Sequence, residues 1–163
     1  MTARDPLAVG PEAVLARARA PWLRPATPTD WPDVEAVLLA SGLPTTGARE
    51  HLTGFLVAER PGRLVGTAGL ELYGESALLR SVAVRPEARG DGLGARLVEG
   101  ALALARTRGA TTVVLLTLDA ADYFTRFGFA RVATDQVPEA VKASTQFQGV
   151  CPASAIAMHI RLD

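Results

Sequence analysis

The segment from Leu79 to Ala95, LRSVAVRPEARGDGLGA, constrains the fold of this chain more than any other. Its first half is a run of β-branched and apolar residues that predicts a buried strand, and Pro86 ends this strand because proline has no N–H to donate to a ladder. A long helical pattern begins at Leu93, and the three glycines at positions 90, 92 and 94 lie at the junction. We therefore predict a strand, a glycine-rich turn and a helix in direct succession.

This junction is a candidate anion site. Glycine admits positive φ angles and allows a ligand to approach the main chain, and a helix N-terminus offers unpaired N–H groups with a partial positive charge. Arg89 adds a cation beside the turn. The expected ligand is a phosphorylated small molecule, although such a turn is often only a turn. The chain has no G-x-G-x-x-G or G-K-[ST] motif, which argues against a Rossmann or Walker nucleotide site.

The spacing of Arg89, Gly92 and Gly94 resembles the [RQ]-x-x-G-x-[GA] motif of the GNAT superfamily of acyl-coenzyme A N-acyltransferases. The resemblance runs from about Leu23 to Leu162. The segments LLRSVAV, LLT, GFARV, VPEAV, QF and CPASA are similar to the arsenic-resistance N-acetyltransferase group, and more distantly to the acetyltransferase domain of N-acetylglutamate synthase. This resemblance implies an α/β (α+β) fold of GNAT type, with a mixed, mostly antiparallel central sheet of about six to seven strands and helices on both faces.

Length and charge limit the function classes. The 163 residues predict one domain over residues 21–163, preceded by an N-terminal extension over residues 1–20 that is either a short helix or a mobile segment. The 17 basic and 17 acidic residues cancel, which argues against nucleic-acid and membrane partners. One cysteine and two histidines cannot supply the usual four zinc ligands, so no metal is expected. The lack of an intrachain disulfide, of a signal pattern and of a long apolar run predicts a cytoplasmic location. A homodimer stays open.

Apolar periodicity and turn residues predict the order of elements. The N-terminal half is predicted to contain strand Trp22–Ala26, helix Trp31–Ala40 capped by Thr29 or Asp30, and strands Phe55–Glu59, Leu64–Tyr73 and Ala77–Val84. The C-terminal half is predicted to contain helix Leu93–Arg108, strand Thr111–Leu116, helix Ala120–Phe127 capped by Asp119, strand Phe129–Thr134, short helix Pro138–Ser144 and strand Ala155–Leu162.

The predicted hairpin of strands Leu64–Tyr73 and Ala77–Val84 places two opposite charges on one face of the sheet. If Tyr73 opposes Ser76, the register puts Glu71 and Arg80 diagonally across from each other. A charge in mid-sheet costs several kcal/mol unless it is paired. The pair is therefore either a structural ion pair or a functional one.

The resemblance implies where coenzyme A binds. Main-chain N–H groups of the glycine turn hold the pyrophosphate, and the backbone of the preceding strand binds the pantetheine arm, whose thioester reaches between two parting strands. The full set of implied cofactor-binding residues is Val82, Ala83, Val84, Arg89, Gly90, Asp91, Gly92, Leu93, Gly94, Ala95, Thr117 and Phe124.

Acyl transfer to an amine also needs a base and an acceptor site. Glu71 is the predicted base, acting directly or through water; burial should raise its pKa, whereas Arg80 should lower it. The planar guanidinium of Arg80 suits a substrate carboxylate. The predicted acceptor-binding residues are Arg80, Ser81, Gln146 and Ser154.

Two residues depart from or test the family pattern. Many relatives carry a tyrosine four residues before the G-F pair, and here that position is Phe124. Tyr123, rotated by about 100° on the helix, is expected to point elsewhere. Cys151 invites an acetyl-cysteine step, but its apolar neighbours favour burial as a small hydrophobic residue.

Taken together, these patterns favour an acetyl-coenzyme A-dependent N-acetyltransferase. The acceptor is predicted to be the primary amine of a small, glutamate-like amino acid or of a toxic analogue of the arsenic-resistance type. Two alternatives remain: an N-acetyltransferase for proteins or other small amines, and a non-catalytic module that binds acyl-coenzyme A.

Overall fold

The structure, a computed structural model, describes residues 21–163, so the predicted extension over residues 1–20 lies outside the described residues. Seven strands in this range form one sheet: β1 (Trp22–Pro25), β2 (Phe55–Arg60), β3 (Arg63–Tyr73), β4 (Ser76–Val84), β5 (Thr112–Thr117), β6 (Ala130–Arg131) and β7 (Ile156–Arg161). Their order across the sheet is β1-β2-β3-β4-β5-β7-β6. The β4–β5 pair is parallel and the other neighbouring pairs are antiparallel, which confirms the predicted mixed, mostly antiparallel sheet.

Helices cover both faces of the sheet, as predicted. Three α-helices are present in the described range: α1 (Trp31–Ala40), α2 (Leu93–Thr107) and α3 (Ala121–Thr125). Successive side chains of β2 point to opposite faces. Leu56 and Ala58 pack into the cluster that contains the buried face of α2, whereas Phe55 and Val57 pack with α1.

The C-terminal part of the chain is less regular than predicted. The expected strand Phe129–Thr134 is reduced to the two residues of β6, because this segment lies at the edge of the sheet and pairs only with β7. The expected helix Pro138–Ser144 is a 3₁₀ helix over Glu139–Ala143. It lies beside the 3₁₀ turn Thr134–Gln136 and the π-type turn Gln146–Val150.

Neither predicted helix cap forms a capping bond through its side chain. Asp30 is at the N-cap position of α1 but makes no capping bond; its carboxylate instead accepts two hydrogen bonds from Arg24, at 2.7 and 2.8 Å, which hold the pKa of Asp30 well below its usual range. At α3, Ala120 is the N-cap residue. The side chain that accepts the Ala120 N–H is Thr117 Oγ1, at 3.0 Å, rather than Asp119.

A β-bulge interrupts the β3–β4 hairpin. Thr67 pairs with Ala83 and Gly69 with Arg80, so one residue of β3 faces two residues of β4. Ser81 lies in the bulge with a φ of +58°, the one positive φ of a non-glycine residue within 21–163. The Thr67 hydroxyl donates to the Ser81 carbonyl at 2.7 Å and so fixes this conformation.

Strands β4 and β5 diverge close to the bulge. Their last paired residues are Leu79 and Leu115, although β4 continues to Val84 and β5 to Thr117. The carbonyl ends of these two strands therefore leave a gap in the sheet.

We predict that Thr67→Val destabilises the fold by about 1 kcal/mol, because valine matches the shape of threonine but leaves the Ser81 carbonyl without its donor. Urea unfolding measures this change. Thr107→Val is the matched control: its hydroxyl also donates to a main-chain carbonyl, that of Leu104, but in an exposed position, and we expect a change within about 0.5 kcal/mol. Equal losses in the two variants would contradict a special role for the bulge contact.

Candidate active site

A cavity of about 560 Å³ occupies the gap between β4 and β5. Its wall comes from both strands, from α3, from the loop after α1 and from the segment before β7. The lining includes Arg80, Ser81, Val82, Thr117, Tyr123, Phe124, Gln146 and Cys151.

A second cavity of about 520 Å³ follows the glycine turn. It includes nearly all the residues predicted for coenzyme A at this end: Val82, Ala83, Val84, Arg89, Gly90, Gly92, Leu93, Gly94 and Ala95. Asp91 is exposed and does not line it. Ser41, Leu43, Val82 and Tyr123 line both cavities, so the two adjoin.

The start of α2 presents free main-chain donors to the second cavity. Gly92, the N-cap residue, has a φ of +75°, and the first intrahelical bond is donated by the Arg96 N–H to the Gly92 carbonyl, at 3.1 Å. The N–H groups of the three residues between them therefore have no partner within the helix. This end of the cleft fits an anion such as a phosphate.

Gly94 is required for a different reason from Gly92. A Cβ atom at position 92 would meet nothing within 4 Å, but one at position 94 would lie 2.8 Å from Tyr123 Oη. The third glycine of the turn thus makes room for the tyrosine, and the second supplies the backbone conformation.

Glu71 and Arg80 form a buried ion pair, with Arg80 Nη1 at 2.8 Å from Glu71 Oε2 and the two side chains 2% and 1% exposed. The observed register, Tyr73 opposite Ser76 and Gly69 opposite Arg80, confirms the diagonal arrangement expected from the sequence. Tyr73 Oη donates to Glu71 Oε1 at 2.5 Å. His51 Nε2 lies 3.5 Å from the same oxygen, and the His51 side chain is 33% exposed.

The pKa of Glu71 is lowered, not raised. Burial favours the neutral acid, but hydrogen bonds from Tyr73, Arg80 and Ser144 and the positive potential of His51 outweigh it. The pKa of Tyr73 rises to about 12, through burial and through its bond to the carboxylate. Glu71 is therefore ionised at neutral pH. Its side chain lies behind Arg80 and does not line either cavity.

Arg80 joins three segments around the first cavity. Its Nε donates to Ser81 Oγ at 3.1 Å, and Nη2 donates to the carbonyls of Thr46 at 2.8 Å and Pro44 at 3.3 Å, in the loop after α1. Since a guanidinium has five N–H donors, the bond to Glu71 leaves one Nη1 donor without a partner among residues 21–163. Arg80 thus lines the cavity and keeps one donor that no described residue uses.

The residues predicted at the acceptor end are divided by the structure. Gln146 lines the first cavity and is only 8% exposed; its Oε1 accepts the Cys151 thiol at 3.1 Å, and its Nε2 has no partner within the described residues. Ser154 is exposed and does not line the cavity. Cys151 lines the first cavity, so its predicted burial is only partial. Burial nevertheless raises the pKa of its thiol, which disfavours the thiolate that a nucleophile needs.

The sequence predicted the direction of Tyr123 wrongly and did not single out Arg126, which lines the second cavity, or His51, which lies 3.5 Å from Glu71 Oε1. Tyr123 lines both cavities, so the expectation that it points elsewhere is wrong. Its ring packs edge-on against Phe124 and Phe127, each at 5.3 Å between centroids, and this packing sets its direction. Of the three turn glycines only Gly94 lies against this ring, so glycine content alone does not indicate the bulky neighbour. His51 is twenty residues from Glu71 along the chain, and no motif links the two.

Within residues 21–163, no group of three or more His, Cys, Asp or Glu side chains could hold a metal ion. In the same range, no helix is both long enough and apolar enough to cross a membrane.

We predict that Glu71→Gln lowers the free energy of unfolding at neutral pH by about 3 kcal/mol, because it leaves a buried guanidinium without its counter-ion. The double variant Glu71→Gln/Arg80→Met should recover part of this loss. Glu139→Gln is the surface control: Glu139 pairs with Lys142 at 2.8 Å but is 86% exposed, so its effect should stay within about 0.5 kcal/mol.

The pH dependence of this difference has a defined sign. A carboxylate whose pKa is lowered on folding contributes stability above its unfolded pKa, and that stability is lost as the pH falls through the folded value. The difference in the free energy of unfolding between the native chain and Glu71→Gln should therefore be largest at neutral pH and shrink below the ordinary glutamate pKa of 4.5. A difference that grows in acid would show that Glu71 is not the stabilising anion.

Comparison with known proteins gives a family. The model of the acetyltransferase (GNAT) family matches residues 17–129. An uncharacterized N-acetyltransferase of Chlorobaculum tepidum is 33% identical over 93 residues, which cover 56% of this chain and 59% of that protein. An amino-acid acetyltransferase of Neisseria meningitidis is 30% identical over 91 residues, which cover 55% of this chain and 21% of that protein. The chain thus spans less than two thirds of the length of these curated relatives.

The fold is shared with solved structures. N-acetylglutamate synthase from Neisseria gonorrhoeae, complexed with coenzyme A and N-acetyl-glutamate, superposes with a TM-score of 0.74 and 24% identity, over 88% of this chain and 35% of that chain. The family match agrees with the structure, which has a seven-stranded sheet, a divergence of β4 and β5 and a glycine turn at the start of α2. This chain belongs to the acetyltransferase (GNAT) family.

Proposed function

We propose that this chain is an acetyl-coenzyme A-dependent N-acetyltransferase that acetylates the primary amine of a small, glutamate-like amino acid. The observation that carries the proposal is the pair of adjoining cavities, which connects the anion-binding start of α2 to a buried arginine in the gap between β4 and β5. A donor with phosphates at one end and a thioester at the other fits this shape.

The donor end uses main-chain groups. The N–H groups of Leu93, Gly94 and Ala95 bind the diphosphate, and the backbone of residues 82–84 binds the pantetheine arm. Coenzyme A supplies an activated acetyl group as a thioester, whose thiolate is a good leaving group. Thr117 and Phe124 line the cavity where the acetyl group is held.

The acceptor end is suited to an anionic amino acid. Arg80 lines the first cavity and has one free Nη1 donor, which can bind a carboxylate oxygen. The curated relatives named as amino-acid acetyltransferases, and the solved synthase complex with N-acetyl-glutamate, support an acceptor of this class. Toxic analogues of glutamate that carry arsenic or phosphorus have the same amine and a comparable anionic end.

Glu71 takes the first proton from the acceptor ammonium, through an intervening water, since its carboxylate lies behind Arg80. Protonation of Glu71 leaves the charge of Arg80 uncompensated, and the acceptor carboxylate then balances it. The amine nitrogen bonds to the acetyl carbon as the carbon–sulfur bond breaks. The second proton lost by nitrogen goes to the leaving sulfur, so the step balances without a tyrosine at position 124.

Phe124 also favours a second candidate, a non-catalytic module that binds acyl-coenzyme A. Its side chain lines the first cavity and has no hydroxyl, whereas many relatives carry a tyrosine there. Catalysis and binding alone are distinguished by turnover.

We predict that the protein releases free thiol from acetyl-coenzyme A in the presence of glutamate or its analogues, and that Arg80→Lys raises the KM for glutamate about tenfold, because lysine keeps the charge but loses the planar fork. Thiol release measured with glutamate and with its α-carboxamide tests this. The carboxamide, which has no α-carboxylate, should respond less to the substitution if that carboxylate is the group bound. Arg161→Lys, at an exposed position of β7, is the control.

Coenzyme A binding without thiol release on any amine would overturn the catalytic proposal and leave the binding module. Turnover with lysine peptides or polyamines in preference to amino acids would overturn the acceptor class.

We predict that Gln146→Met reduces the preference for glutamate over 2-aminobutyrate by about tenfold, because the buried Nε2 is then no longer available to a side-chain oxygen of the acceptor. The ratio of kcat/KM for the two amino acids is the measurement. Gln148→Met is the control, since the Gln148 amide is engaged by the Lys142 carbonyl in an exposed position. An unchanged ratio in Gln146→Met would exclude this contact.

A further inference from the structure

The second cavity has two walls, and only one of them is explained by the glycine turn. The end of β4, the turn and the start of α2 form the first wall. Tyr123 and Arg126, from α3 and its C-terminal end, form the opposite one. No acidic side chain lines this cavity, whereas two arginines do, Arg89 and Arg126.

The two arginines differ in the hydrogen bonds and ion pairs that their side chains make. Arg89 Nε donates to the Val84 carbonyl at 3.0 Å, so its guanidinium is tied to the end of β4. Other arginines near this end of the sheet are also engaged, since Arg63 pairs with Glu87 at 2.7 Å and Arg85 Nε donates to the Leu64 carbonyl. Arg126 has no ion pair and no side-chain hydrogen bond with any residue in 21–163.

Tyr123 fixes the position of Arg126. The Arg126 guanidinium carbon lies 5.8 Å from the centroid of the Tyr123 ring, a distance at which the cation and the ring face attract each other. The ring is itself held between Phe124 and Phe127. An exposed arginine would otherwise sample many rotamers; here it rests on a packed ring at the edge of the cleft.

We propose that Arg126, seated on Tyr123, binds the diphosphate of the donor from the side opposite the glycine turn. This inference rests on the proposed function, because it takes coenzyme A as the ligand. The main-chain donors of α2 then hold one side of the diphosphate and a fully charged guanidinium holds the other. The Tyr123 hydroxyl lies next to Gly94, and Tyr123 lines the same cavity. Burial raises the pKa of this hydroxyl and keeps it a hydrogen-bond donor.

The test is the Kd of coenzyme A and of dephospho-coenzyme A, measured by calorimetry on the native chain and on Arg126→Met. Dephospho-coenzyme A has the diphosphate but not the 3′-phosphate. We expect Arg126→Met to weaken both ligands by the same factor, about tenfold, the value of one charge-assisted contact. Arg126→Lys should restore part of the affinity, and added salt should reduce the difference between native and Arg126→Met. Arg131→Met, an exposed arginine on β6, should bind both ligands as the native chain does.

The role of the ring has its own pair of variants. Tyr123→Phe keeps the seat for Arg126 and should change the Kd by less than Arg126→Met does. Tyr123→Leu removes the ring that supports Arg126. Adding Arg126→Met to this variant should therefore weaken the binding of either ligand little further.

Each result decides the inference. Unchanged binding in Arg126→Met overturns it, and so does a loss confined to coenzyme A, which would place the contact at the 3′-phosphate. If the native chain binds neither ligand, the proposed function fails together with the inference; if it binds both and Arg126→Met binds equally well, the inference fails alone.

Discussion

The buried ion pair between Glu71 and Arg80 organises the part of the first cavity where we propose that the acceptor binds. Through Arg80 it joins the centre of the sheet to the bulge at Ser81 and to the carbonyls of the loop after α1. Two buried charges are tolerated because each is hydrogen-bonded on several sides. The same arrangement gives the cavity a cation whose counter-ion can be neutralised by a proton. Structural stability and the proposed proton transfer therefore depend on one contact, so a substitution there must be assessed for both effects.

The donor side is built on a different principle. There the proposed binding groups are main-chain N–H donors at a helix start, whose positions follow from φ angles rather than from side-chain choice. The divergence of β4 and β5 brings the two sides together, since it opens the sheet between the helix start and Arg80. A glycine turn by itself offers a site for an anion; in the proposed function, the gap beside it is where the attached thioester reacts.

The sequence predicted the parts of the fold that depend on local rules. The glycine turn, helix α1, the long helix α2 and the register of the β3–β4 hairpin follow from periodicity, turn residues and the alternation of strand side chains. The short β6 and the 3₁₀ helix over Glu139–Ala143 did not follow, because a sheet edge offers pairing on one side only and the outcome depends on distant β7. The direction of Tyr123 also escaped prediction, since helix rotation alone ignores the phenylalanines that pack around its ring. The pKa of Glu71 was uncertain in sign because burial and hydrogen bonding oppose each other, and the number of hydrogen bonds is visible only in three dimensions.

The contact between Gly94 and Tyr123 has an evolutionary consequence. The motif shared by such proteins admits glycine or alanine at the position of Gly94, but a methyl group here would come within 2.8 Å of the tyrosine hydroxyl. The ring packs edge-on against two phenylalanines, which restricts its movement away from Gly94. The identities of these two positions are thus coupled: lineages that acquire alanine at the first should also lose the bulky phenol at the second, and with it the platform on which a neighbouring arginine rests.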